Sequence, residues 1–127
     1  MVQKAIIVPG TPRRGPETDA SHGLAVRIET EDLAAGKHAR LTFSVTEAAT
    51  GAPVRDLQPY LGAPAHMLLV RRDLSDAIHA HPEEPATAGP TVSFNPIIPR
   101  VGEYKLWVQF QRRGQVSTAS FELTVAR

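Results

Sequence analysis

Three histidines, His66, His79 and His81, stand in a stretch of alternating hydrophobicity where their spacing could do chemistry. His79 and His81 lie two apart, so on a strand both point to one face. Between them and His66, Asp73-Leu74-Ser75-Asp76 has turn composition, because Asp and Ser side chains bond back to nearby backbone amides. A hairpin closed over those four residues pairs Arg72 with Ala77. Val70 then lies opposite His79 and Leu68 opposite His81, with His66 on the same face, diagonal to His81. Diagonal neighbours sit about 7–8 Å apart at the backbone, within reach of long side chains. Three neutral imidazoles on one face would suit copper or zinc.

Met67 alternates to the opposite face from His66, and would join the set only if Pro64 bends the strand. A thioether there would favour Cu(I). The metal candidates are therefore His66, His79, His81 and Met67, and their ligation would weaken below about pH 6 as imidazoles protonate. The competing reading makes His79 and His81 the polar face of an edge strand, with Ile78 and Ala80 turned inward. A one-residue slip of the hairpin would also send His66 to the other face.

The remaining candidates point to simpler roles. His22 and His38 fall in polar lead-in and turn sequence, as solvated residues. Asp73 and Asp76 could be an acid/base pair, but turn formation is the expected role. Glu83-Glu84 reads as a solvated loop pair. The chain has no cysteine, which removes disulfides, thiol nucleophiles and thiolate metal sites. It has no Gly-x-Ser-x-Gly elbow and no His-Glu-x-x-His helix. The expectation is a binding protein, not an enzyme.

The elements that must position the histidines are strands. Leu24, Val26 and Ile28 alternate with polar or small residues, as do Leu41, Phe43 and Val45. Ala65–Arg71, Ala77–His81 and Thr91–Asn95 follow as shorter strands, with Val92 and Phe94 facing one way. Glu103–Arg112 and Gln115–Val125 alternate almost without fault around Arg113-Gly114, a hairpin turn. Glu31 to Gly36 has room for one helical turn, too short for a stable helix. Short strands at about 8–12-residue spacing, with turns between, predict an all-β, antiparallel immunoglobulin-like sandwich of seven or eight strands. Tyr104, just after Gly102, suits the corner in which a tyrosine hydroxyl bonds back to upstream backbone. Trp107 shares a face with Lys105 and Gln109 and is expected to be partly exposed, lying over the sheet or anchoring a partner.

At 127 residues and 42% hydrophobic composition, the chain can bury a core without staples. The expected organisation is a flexible or edge-strand lead-in over 1–22, with Pro9–Pro16 as loop, and a sandwich domain over 23–127. A net charge of +1 with scattered arginine pairs lacks the concentrated basic footprint of a nucleic-acid binder. No apolar run approaches the roughly 20 residues of a membrane span. Ala5–Val8, an edge strand or a remnant, is shorter than a signal-peptide centre, and the expectation is a chain beginning after a removed signal or anchor.

The stretches Asp56–His66, His79–Pro82, Gly89–Phe94 and Gly102–Gln111 resemble the YtkA-like and FixH-like immunoglobulin-type domains, over about Leu24 to Val125. Such domains occur in exported bacterial proteins, often in copper-handling ones. The resemblance implies a periplasmic or extracellular sandwich and strengthens a copper role for His66, His79 and His81, with zinc as the alternative metal. The competing function is a non-catalytic docking module of a larger exported assembly, in which the histidines are incidental and another exported protein is the partner.

Overall fold

The computed structural model describes residues 13–84 and 87–127, and the expectation for Ala5–Val8 lies outside them. Nine strands are described: β1 (Arg13–Ala20), β2 (Leu24–Glu31), β3 (Arg40–Glu47), β4 (Leu57–Gln58), β5 (His66–Arg71), β6 (Ala77–Ala80), β7 (Thr91–Phe94), β8 (Gly102–Arg112) and β9 (Gln115–Val125). They form two antiparallel sheets, one in the order β1-β2-β3-β7, the other built around β8. β8 pairs with β9 along its whole length, with β5 over residues 104–109 and with β4 at residues 111–112. A strand has two edges, so β4 and β5 follow one another on the edge of β8 away from β9. β6 pairs only with β5 among the described residues and closes that side of the sheet. The all-β sandwich expected from the alternation is the observed fold.

Alternation decides the core because successive side chains on a strand point to opposite faces. Val26, Ile28, Leu41, Phe43 and Val45 from one sheet meet Met67, Leu69, Tyr104, Leu106, Val108 and Phe110 from the other, all fully or almost fully buried. Phe43 is the aromatic hub. It contacts Phe94 edge-on at 5.8 Å between centroids and Phe121 at 6.0 Å, within the range where aromatic pairs add to area burial. Tyr104 is buried and donates its hydroxyl to the Arg100 carbonyl at 2.9 Å, making the expected corner.

Two expectations change. Residues 13–16, read as loop, belong to β1, which pairs antiparallel with β2. The ladder shifts register between Arg14 and Glu17, so Gly15 and Pro16 occupy a bulge. A proline that cannot donate an amide proton is accommodated there on an edge strand. The segment after β2 makes no helical turn. Ala34 instead bridges to Ala126 in parallel, and the Ala35 amide donates to the Ala126 carbonyl at 2.7 Å.

Candidate metal centre

The β5–β6 hairpin positions the histidines, and its closure differs from the expected one. Val70 pairs with Ala77, Leu68 with His79 and Met67 with Ala80. The Arg71 amide reaches the Asp76 carbonyl at 3.0 Å, so the turn keeps four residues but encloses 72–75, one residue earlier than predicted. Its interior explains the placement. The Leu74 amide turns back to the Arg71 carbonyl at 2.8 Å, Leu74 takes φ 65°, and Asp73 Oδ1 accepts from the Ser75 amide at 3.0 Å and hydroxyl at 2.6 Å. The pairing thus moves by two residues. An even shift preserves facing, so all three histidines stay on the outer face while Met67 and Leu69 enter the core.

Their rings form a chain. His66 and His79 are stacked with centroids 6.2 Å apart and planes 28° from parallel, and His79 meets His81 edge-on at 5.9 Å. His66 is half-buried, whereas His79 and His81 are exposed. Tyr60 packs edge-on against His66 at 5.4 Å. The His66 Nε2–H donates to the Tyr60 carbonyl at 2.5 Å. A carbonyl can only accept, so in the neutral ring this bond leaves Nδ1 with the lone pair available to a ligand. A backbone carbonyl in that role is a common outer-sphere support for a ligating imidazole.

The hairpin abuts a groove of about 360 Å³ lined by His66, Met67, Leu68, His79, Trp107, Gln109 and Thr118. Register explains the lining. One row across the sheet runs His79, Leu68, Trp107, Ser120, and the next runs His66, Gln109, Thr118. Trp107 is half-buried and Leu68 is 41% exposed, while Gln109 donates to Thr118 Oγ1 at 3.2 Å. The partial exposure expected of Trp107 follows from this row. Tyr60 and Thr118 were not singled out from sequence, and Leu68 was placed only as the residue opposite His81. Strand parity puts Thr118 on an outward face, but the order of strands in the sheet is needed to bring it beside the histidines.

Met67 is not brought to the histidines. Pro64 does not bend β5 enough to alter its alternation, and Met67 is 1% exposed within the core. Among the described residues no group of three His, Asp or Glu side chains converges on one point. The donor chemistry fits copper or zinc, but the exposed His79 and His81 rings must rotate about their side-chain torsions to close with His66 on a common ion.

The other candidates are engaged elsewhere. Ser117 Oγ donates to the Ser21 carbonyl at 2.8 Å, so His22 Nδ1 supplies the proton in its 3.1 Å contact with Ser117. His38 Nδ1 donates to the Asn95 carbonyl at 3.1 Å. Asp73 also pairs with Arg71. The Ser75 bonds, followed by the Arg71 charge, hold its carboxyl below the ordinary value, an environment for a turn anchor and not for a proton donor. Asp76 pairs with Arg100 at 3.3 Å and Glu83 with Arg40 at 3.0 Å.

Comparison with solved structures returns sandwiches of the same kind. A copper-bound variant of FetP from uropathogenic Escherichia coli superposes with TM-score 0.64 at 11% identity, covering 91% of this chain and 97% of that one. FetP isolated after recombinant expression in the E. coli periplasm gives TM-score 0.63 at 12% identity, with the same coverages. Copper-reconstituted P19 from Campylobacter jejuni gives 0.54 at 9% identity, covering 91% and 96%. At these identities the likeness establishes a shared fold. No curated protein matches the sequence. The family match also differs from the YtkA-like and FixH-like names that the residues resemble. The model described as Domain of unknown function (DUF8832) matches residues 18–127, and the chain belongs to that family.

Proposed function

We propose that this chain is an exported, periplasmic copper-binding domain that acts by holding the ion and not by catalysis. The observation that carries the reading is the run of His66, His79 and His81 on one sheet face, with His66 fixed through Nε2 so that Nδ1 is left for the ion. Imidazole is a ligand for copper and zinc alike. The copper-bound state of FetP and the copper-reconstituted state of P19, on the same fold, support copper. Expression of FetP in the periplasm supports that compartment for this chain as well. His66 and His79 hold the ion from adjacent strands, and His81 joins from the end of the hairpin. Met67 is left out.

The test is a titration of metal-free protein with Cu(II), and with Cu(I) under reducing conditions, against a competing chelator. The variant combining His66→Ala, His79→Ala and His81→Ala is titrated in parallel. Tight one-to-one binding that the variant loses is the expected result. Equal binding by both proteins, or none by either, overturns the reading and favours a docking module presenting Leu68 and Trp107.

A further inference from the structure

Resting on that copper reading, we infer that the groove selects a monovalent soft cation, Cu(I), over divalent ions, and that Trp107 is the residue that sets the preference. The lining gives the reason. His66 and His79 offer neutral donors, Gln109 and Thr118 are uncharged, and Leu68 and Trp107 are apolar. Among the described residues no carboxylate lines this groove. Glu83, on the chain just after His81, is held by Arg40.

The cost of moving an ion from water into such surroundings rises with the square of its charge, so a dication costs about four times a monocation of the same size. Divalent sites usually offset that cost with anionic ligands, and this groove has none. A formal charge beside the Trp107 ring works the same way. The Lys105 ammonium sits 5.0 Å from the centroid of the Trp107 ring, and its repulsion of a bound ion grows in proportion to the ion's charge.

Trp107 adds an attractive part. The face of an indole attracts a cation within about 6 Å of its centroid, most strongly where water is excluded. Trp107 stands in the row that contains His79, separated from it by Leu68, and one diagonal step from His66. An ion held by the two imidazoles therefore has the indole as its wall on the β8 side. A polarizable d10 monocation keeps low coordination and tolerates such a wall. A dication needs further oxygen or nitrogen donors that the wall does not supply.

The test uses Ag(I), a redox-inert monovalent d10 probe, beside Zn(II) and Cu(II), with chelator competition for affinity. Trp107 is the only tryptophan in the chain, so emission reports on it alone. The expected result is one Ag(I) per chain, bound at least about tenfold more tightly than Zn(II) or Cu(II), with quenched emission. Trp107→Leu should weaken Ag(I) about 3- to 30-fold, the span of a cation–π contact, and narrow its advantage over Zn(II). Trp107→Phe, which keeps an aromatic wall, should fall between. Divalent ions binding as tightly as Ag(I), or Ag(I) affinity indifferent to Trp107→Leu, overturns the inference while the copper-site reading stands. Failure of the wild-type protein to bind any of the three ions overturns both.

Discussion

His66 Nε2 lies 2.5 Å from the carbonyl oxygen of Tyr60, six residues earlier in the chain. The turn that supplies this carbonyl is a tight one, with reciprocal bonds between Tyr60 and Ala63 at 2.8 and 3.2 Å. The tautomer of His66 is thus set by a backbone atom that no side-chain substitution removes. Long-range 15N–1H spectra of the metal-free protein at neutral pH should show His66 protonated at Nε2. Addition of Ag(I) should move the Nδ1 resonance and leave the Nε2–H in place. Movement of Nε2 instead would mean that the ion breaks the Tyr60 bond.

The same turn carries a conformational cost. Leu61 and Gly62 both have positive φ, 52° and 85°, and Leu61 is 78% exposed. A two-residue turn of this kind favours Asn-Gly, and leucine in the left-handed region is disfavoured by its Cβ. Leu61→Asn should raise stability by about 0.5–1 kcal/mol, measured by denaturant unfolding. Metal affinity should not change, since the Tyr60 carbonyl is kept. A loss of affinity would show that the Leu61 side chain belongs to the site.

Met67 separates packing from ligation. Met67→Leu conserves volume and should cost less than about 1.5 kcal/mol, whereas Met67→Ala should cost about 2–5 kcal/mol through the cavity it leaves. Chelator competition should give the leucine variant wild-type copper affinity in both oxidation states. A selective loss for Cu(I) would place the thioether among the ligands.

Tyr104→Phe removes the bond to the Arg100 carbonyl and should cost about 1 kcal/mol. The pH dependence has a definite sign. Burial, followed by the nearby Asp76 charge, raises the Tyr104 phenol above its ordinary 10.0. The folded state therefore keeps the proton where the unfolded chain has begun to lose it. Its contribution is full below about pH 10 and disappears as pH rises through the folded value. Wild-type stability should fall more steeply above pH 10 than that of the phenylalanine variant, and parallel curves would contradict the assignment.

Much of this arrangement was legible in the sequence. β2, β3, β8 and β9 have one buried and one more accessible face, and period-2 alternation records that difference. β1 was not legible as a strand at its start, because Arg13-Arg14-Gly15-Pro16 has no alternation and is tolerated only by a bulge on an edge. The hairpin pairing was two residues off because the αL conformation of Leu74 and the Asp73–Ser75 bonds close the turn over residues 72–75, one residue earlier than composition suggested. The facing of the histidines survived because the error was even. The groove beside them was not legible, since it depends on β5 lying between β6 and β8, and strand order is a long-range property.

His79 and His81 ride near the end of a four-residue strand that has one strand neighbour among the described residues, whereas His66 belongs to an interior strand next to β8. Segments with few neighbours open at a fraction of the free energy of global unfolding. Fraying of β6 would pull His79 and His81 away from His66 and leave Met67 and Leu69 packed. The residence time of the ion should then be governed by an edge that breathes and not by the strength of the whole domain. Amide exchange along β6 should slow when Ag(I) is bound, while amides of β8 and β9 exchange as before. Equal protection throughout would tie release to unfolding of the entire sandwich.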